Sequence, residues 1–149
     1  MSEEEKSPDK ADELLRRTAE LFAKGDFQGV VDLCTREIEI DPKNINALGE
    51  RGCARIEMDD LEAAAKDFDI LIGICPGNPM AHNIRGLWRS EIEDYKGAIE
   101  DYTVVIGIDP DFPDVWHKRA VAKSKTGDPR GALEDYTRAE ELRGTKWEK

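Results

Sequence analysis

The chain has 149 residues, of which 37% are charged and 39% hydrophobic, and its net charge is −11. A nucleic-acid binder needs a basic patch, and a helix that lies on lipid needs a basic face, so this balance argues against both partners. Cys34, Cys53 and Cys75 are odd in number and form no CxxC pair, which gives neither a disulfide framework nor a zinc spacing and suits a reducing compartment.

In chain order, residues 1–10 form an acidic tail and a helix start. Ser7-Pro8-Asp9 reads as an N-cap, a proline at the first helical position and an acid in the first turn. The tail has no basic n-region and no apolar h-region. No apolar run in the chain reaches membrane-spanning length, and the expected location is cytoplasmic.

From residue 11 the chain repeats. Asp41-Pro42, Cys75-Pro76 and Asp109-Pro110 place prolines 34 residues apart, twice. Cutting at that period gives repeats 11–44, 45–78, 79–112 and 113–143, followed by a short tail, 144–149. Each repeat has a breaker at its middle: Gly25-Asp26-Phe27, Asp59-Asp60-Leu61, Glu93-Asp94-Tyr95 and Gly127-Asp128-Pro129. Apolar residues at helical spacing, such as Val30, Val31, Cys34 and Ile38, flank these breakers. Each repeat is therefore expected to be two helices joined by a tight turn, with eight main helices in an all-α chain.

Position by position, the repeats agree. The eighth residue is small (Thr18, Gly52, Gly86, Ala120), and the twentieth is Val30, Ala64, Ala98 or Ala132. The twenty-fourth reads Cys34, Phe68, Tyr102, Tyr136. Small residues at positions 8 and 20 let paired helices approach, and the large residue at 24 fills the space between them. Position 7 is always arginine (Arg17, Arg51, Arg85, Arg119), and position 23 is Leu33, Asp67, Asp101, Asp135. Because the acid recurs with the base, a charge pair between packed helices is favoured over a ligand-gripping row. Arg55, Arg89 and Lys123 at position 11 form a second basic column, whose stems are expected to cover apolar surface while the heads reach water. Position 28 runs Ile38, Ile72, Ile106 and then Glu140, so the last helix is expected to face water. Trp147 either folds back over that end or binds a partner.

This pattern resembles the tetratricopeptide repeat over residues 11 to 143. The resemblance implies an α-solenoid, a right-handed superhelix of four antiparallel helix-turn-helix repeats, whose first helices line a concave groove that binds proteins. It places Arg16, Ala19 and Phe22 of repeat 1 in the groove. Repeat 2 contributes Glu50, Cys53, Ile56 and Glu57, repeat 3 Asn83, Ile84, Leu87 and Glu91, and repeat 4 His117, Lys118, Val121 and Lys125. The implied function is a scaffold or adaptor that docks a peptide or helical segment with apolar anchors and basic residues. His117, Lys118 and Lys125 should instead prefer an acidic or C-terminal group, which would set the segment's direction. The alternative is a structural subunit that self-assembles through its acidic and basic ends, so the expected state is a monomer or a weak self-associate.

No catalytic residues, metal or cofactor are expected. His82 and His117 lie 35 residues apart, and the chain holds no HExxH, GxSxG, GxxxxGK[ST] or GxGxxG motif. Nothing supplies a paired nucleophile and base.

Overall fold

Eight α-helices span the described residues, 9–144, of a computed structural model, and no strand occurs among those residues. They are α1 (Lys10–Ala23), α2 (Phe27–Ile40), α3 (Ile45–Glu57), α4 (Leu61–Ile74), α5 (Pro79–Glu91), α6 (Tyr95–Ile108), α7 (Pro113–Lys125) and α8 (Pro129–Gly144). Consecutive odd and even helices form four hairpins in register with the 34-residue period. The chain divides into two compact units, one ending at Ile74 and the other beginning at Cys75.

The same residues shape every hairpin turn. Position 15 carries Gly25, Asp59, Glu93 and Gly127, all at left-handed φ between 60° and 80°. Position 16 is aspartate each time and caps the second helix. The Asp26, Asp60, Asp94 and Asp128 carboxylates accept from the backbone N–H of Gly29, Ala63, Gly97 and Gly131 at 2.9, 3.2, 3.0 and 2.9 Å, which satisfies a helix-end donor. A side chain with a Cβ is strained at such a φ, whereas glycine is not. Glu93→Gly is therefore expected to raise stability by about 0.5–1 kcal/mol, read as a higher urea midpoint, even though the change removes an exposed side chain that anchors nothing in the core.

Helix starts follow capping chemistry as well. Asn44 and Asn78 accept from Ala47 and Ala81 N–H at 3.1 Å, just ahead of α3 and α5. At the first helix the sequence expectation is corrected. The cap of α1 is Asp9, whose carboxylate accepts from Ala11 N–H, and the helix begins at Lys10. The Asp9 carboxylate supplies an acceptor for a helix-end N–H and a negative charge at the positive end of the helix dipole. Ser7, Pro8 and Trp147 lie outside the described residues.

The close approach within hairpins is where the small residues stand. A Cβ added to Gly52 would lie 2.6 Å from Phe68 Cε2, and one added to Gly86 would lie 2.7 Å from Tyr102 Cε1. Position 8 is thus small because position 24 of the same hairpin fills its space. In the first unit the core gathers Leu14, Val30, Leu33, Cys34, Ala47 and Ala54. In the second it gathers Ala98, Tyr102, Val105, Ile106 and Val115.

Candidate binding surface of the first helices

Three buried aspartates organise the hairpins from inside. Asp67, Asp101 and Asp135 are at most 3% exposed, and a carboxylate taken from water must be paired. Arg51 reaches Asp67 at 2.6 Å, Arg85 reaches Asp101 at 2.8 Å, and Arg119 reaches Asp135 through two bonds of 2.8 Å. The position-7 arginines of repeats 2 to 4 are therefore structural, as their recurrence with aspartate suggested.

The second basic column departs from expectation. Arg55, Arg89 and Lys123 do not carry their heads to water. Each returns to the aspartate of its own hairpin, at 2.8, 3.0 and 3.0 Å. A carboxylate has about four acceptor sites, and one arginine leaves some of them empty inside the hairpin; the second cation fills them. At Asp135, burial pushes the carboxyl pKa up, but hydrogen bonds from Arg119 and Lys123 outweigh it and hold the group below the usual range.

Repeat 1 lacks this arrangement, since Leu33 stands where the others have aspartate. Arg17 is exposed and lines a cavity of about 510 Å³ with Lys10, Glu13, Leu14, Leu33 and Glu37. In repeat 3 the triad gains a member. His82 is buried, with Nδ1 3.1 Å from Asp101 and Nε2 2.7 Å from the Pro76 carbonyl. Trp116, at the matching position of repeat 4, donates from Nε1 to the Pro110 carbonyl at 2.8 Å.

In repeats 2 to 4 the arginine side is used internally, and in all four repeats the residues expected in the groove lie at other positions of the first helix. In the first unit, Arg16 is exposed and pairs with Glu20 at 2.9 Å, and Ala19 is exposed. Phe22 is half-buried against the core and packs on Phe27, with ring centroids 5.9 Å apart. On α3, Glu50, Cys53 and Ile56 are half-buried and Glu57 is exposed. Burial pushes the Cys53 thiol pKa up, and the charges of Glu50 and Glu57 push it further, so the three share one acidic face.

In the second unit, Asn83, Ile84 and Leu87 of α5 are half-buried and Glu91 is exposed. On α7, Val121 is 38% exposed and Lys125 is exposed. His117 is exposed but meets Tyr136 of α8 edge-on at 5.2 Å, so it also belongs to the packing of its hairpin. Lys118 donates to Asn83 Oδ1 at 3.3 Å, which joins α7 to α5 across this face. Burial lowers the Lys118 pKa, a shift partly offset by the charge of Asp114. The other buried-side cations of this unit, Arg85, Arg89, Arg119 and Lys123, sit on aspartate. Among the described residues, Lys118 alone of this group makes its contact to a neutral amide and to no carboxylate.

A second cavity, which no sequence pattern announced, opens beside Asn83. It measures about 300 Å³ and is lined by Pro79, Met80, Asn83, Val105, Asp109 and Phe112. Met80 is 47% and Phe112 38% exposed, too much for core residues of their size. The position-2 and position-34 side chains were the available signal, because both are large and apolar here.

Among the described residues, no three His, Cys, Asp or Glu side chains are placed to hold a metal ion, and no helix is long and apolar enough to cross a membrane.

The architecture is an all-α helical-repeat fold, an α-solenoid of four helix-turn-helix hairpins. Comparison with solved structures finds the same fold in MamA. One crystal structure of MamA superposes with a TM-score of 0.82 at 21% identity, covering 94% of this chain and 82% of that one. Residues 41 to the end of MamA from Desulfovibrio magneticus RS-1 superpose with a TM-score of 0.80 at 18% identity, covering 91% of this chain and 76% of that one. At this identity the likeness is one of fold. No protein-family model matches the chain, and no curated protein matches it.

Proposed function

We propose that the chain is a tetratricopeptide-type binding module without catalytic activity, and that it holds a segment of another protein against its first helices. One observation carries this reading. The first helices of repeats 2 to 4 keep their position-7 arginines for the internal aspartates, yet each leaves a separate face of half-buried apolar and charged side chains, on which, in the second unit, Lys118 and Asn83 are joined without a carboxylate. Half-buried Ile56 in the first unit, and half-buried Ile84 and Leu87 with exposed Val121 in the second, each supply apolar contacts on their own unit, and such contacts carry most of the energy when a helix or strand docks. Glu50 and Glu57 on α3 favour a basic stretch of the partner, acting mainly on association rate and orientation.

The test begins with a partner recovered by affinity capture and verified as a purified protein. Glu50→Lys with Glu57→Lys should slow its association and flatten the dependence of that rate on salt. Undiminished association, together with loss of binding on mutating the outward surfaces of α2 and α4, would place the partner on the second helices and remove this reading.

A further inference from the structure

We infer that Lys118 is a modification site of the second unit, an amine that small acyl phosphates acylate in preference to the other described lysines. The reaction needs no docked partner, so it holds or fails independently of the binding-module reading.

The described lysines fall into three environments. Lys10, Lys24, Lys43, Lys66, Lys96 and Lys125 are exposed, where an ammonium keeps its hydration. Lys123 is half-buried, and its charge is matched by Asp135 at 3.0 Å. Lys118 is half-buried as well, but its bond goes to the neutral Asn83 Oδ1 at 3.3 Å and not to a carboxylate. Asp114, on the same helix as Lys118, already holds Arg143 at 3.0 Å. Burial lowers the Lys118 pKa, and the charge of Asp114 offsets only part of that shift. A larger share of Lys118 is therefore uncharged amine, which is the nucleophilic form.

In the reaction the Nζ lone pair attacks the acyl carbonyl carbon. A C–N bond forms, the C–O bond to the phosphate breaks with its electron pair, and the proton lost from nitrogen leaves with the phosphate. The product suits the surroundings. An acylated Nζ keeps one N–H, which can still donate to Asn83 Oδ1, so the tie between α5 and α7 outlasts the loss of charge. Acylation of Lys123 would instead take from buried Asp135 one of its two cations. The cavity of about 300 Å³ that Asn83 lines with Met80 and Phe112 opens beside the same amide and offers an acyl methyl an apolar wall. Local charge favours an anionic donor. Residues 113–149 hold nine Lys or Arg against seven Asp or Glu, although the whole chain carries −11.

The experiment treats the folded full chain with a small excess of acetyl phosphate near neutral pH and follows acetylation of each lysine by peptide mass spectrometry. Lys118 should react severalfold faster than Lys66 and Lys125, and Lys123 should lag behind all of them. In urea, where burial is lost, the lysines should react alike. Asn83→Asp, checked for an otherwise unchanged ¹⁵N NMR spectrum, sets a carboxylate beside the amine and should bring Lys118 down to the rate of the exposed lysines or below it.

Reaction of Lys118 no faster than that of the exposed lysines, a preference that persists in urea, or a rate unchanged by Asn83→Asp would overturn the assignment. Lys123 reacting as fast as Lys118 would overturn it too, because pairing with a carboxylate would then give an amine no protection.

Discussion

Asp101→Ala is expected to lower the free energy of unfolding by about 3–5 kcal/mol, seen as a large fall in the urea midpoint with little change in slope. Asp101 is 1% exposed and receives Arg85, Arg89 and His82. Removing the acid takes from Arg85 and Arg89 the carboxylate that both reach inside the hairpin, with the desolvation cost already incurred. The loss belongs to the broken balance and not to the net value of the ion pair. Replacing Asp101 with leucine together with Arg85→Met and Arg89→Met should therefore recover part of the loss, because an apolar set of similar volume often does as well as a buried pair. A triple variant no more stable than Asp101→Ala would show that the cost comes from packing and not from charge.

Gly86→Leu is the second large effect, at roughly 1–3 kcal/mol or more. A Cβ alone would stand 2.7 Å from the Tyr102 ring and 3.2 Å from Asp101 Cβ. Tyr102 is 1% exposed and cannot swing aside into solvent. The better helix propensity of leucine, worth under about 1 kcal/mol against glycine, does not offset the clash. Gly73→Ala is the control, since a Cβ there meets nothing within 4 Å, and it should leave the urea midpoint equal or higher. A midpoint for Gly86→Leu that matches wild type would mean that α5 and α6 do not approach at this position.

The features legible in the sequence were those that recur. Thr18, Gly52, Gly86 and Ala120 are small for one reason, and four copies in register separate that reason from chance. The same holds for arginine with aspartate at positions 7 and 23. What recurrence could not give was the direction of a long flexible side chain. Arg55, Arg89 and Lys123 were visible as a column, but pattern alone does not decide whether a head turns to water or back to a carboxylate. That depends on how many acceptor sites a buried aspartate has left open, which is a matter of three-dimensional satisfaction. His82 was hidden for the opposite reason, because it occurs once. The register offered only a hint, since its position holds Leu14, Leu48 and Trp116 elsewhere. The proposed binding face was partly legible, in that the groove positions implied by the resemblance include Asn83 and Lys118, which share a hydrogen bond. The cavity beside them was not, because Val105, Asp109 and Phe112 reach it from a second helix and a loop.

The aspartate clusters also bear on how such a chain can grow or shrink. Asp67 draws Arg51 and Arg55, and Asp135 draws Arg119 and Lys123, always from the hairpin that holds the acid. Bonds from these arginines to the preceding hairpin go to neutral hydroxyls, as Arg51 to Thr35 and Arg119 to Thr103, each at 3.2 Å. Duplicating or excising one 34-residue segment would therefore move a buried acid together with both of its counterions. Asp67 and Asp135 would each keep both cations, and contacts such as Arg51 to Thr35, Arg119 to Thr103 and Lys118 to Asn83 would have to be remade at a new junction. The buried acids of repeats 2 and 4 in this sense travel with their own counterions, which leaves the surface free to diverge from one copy to the next.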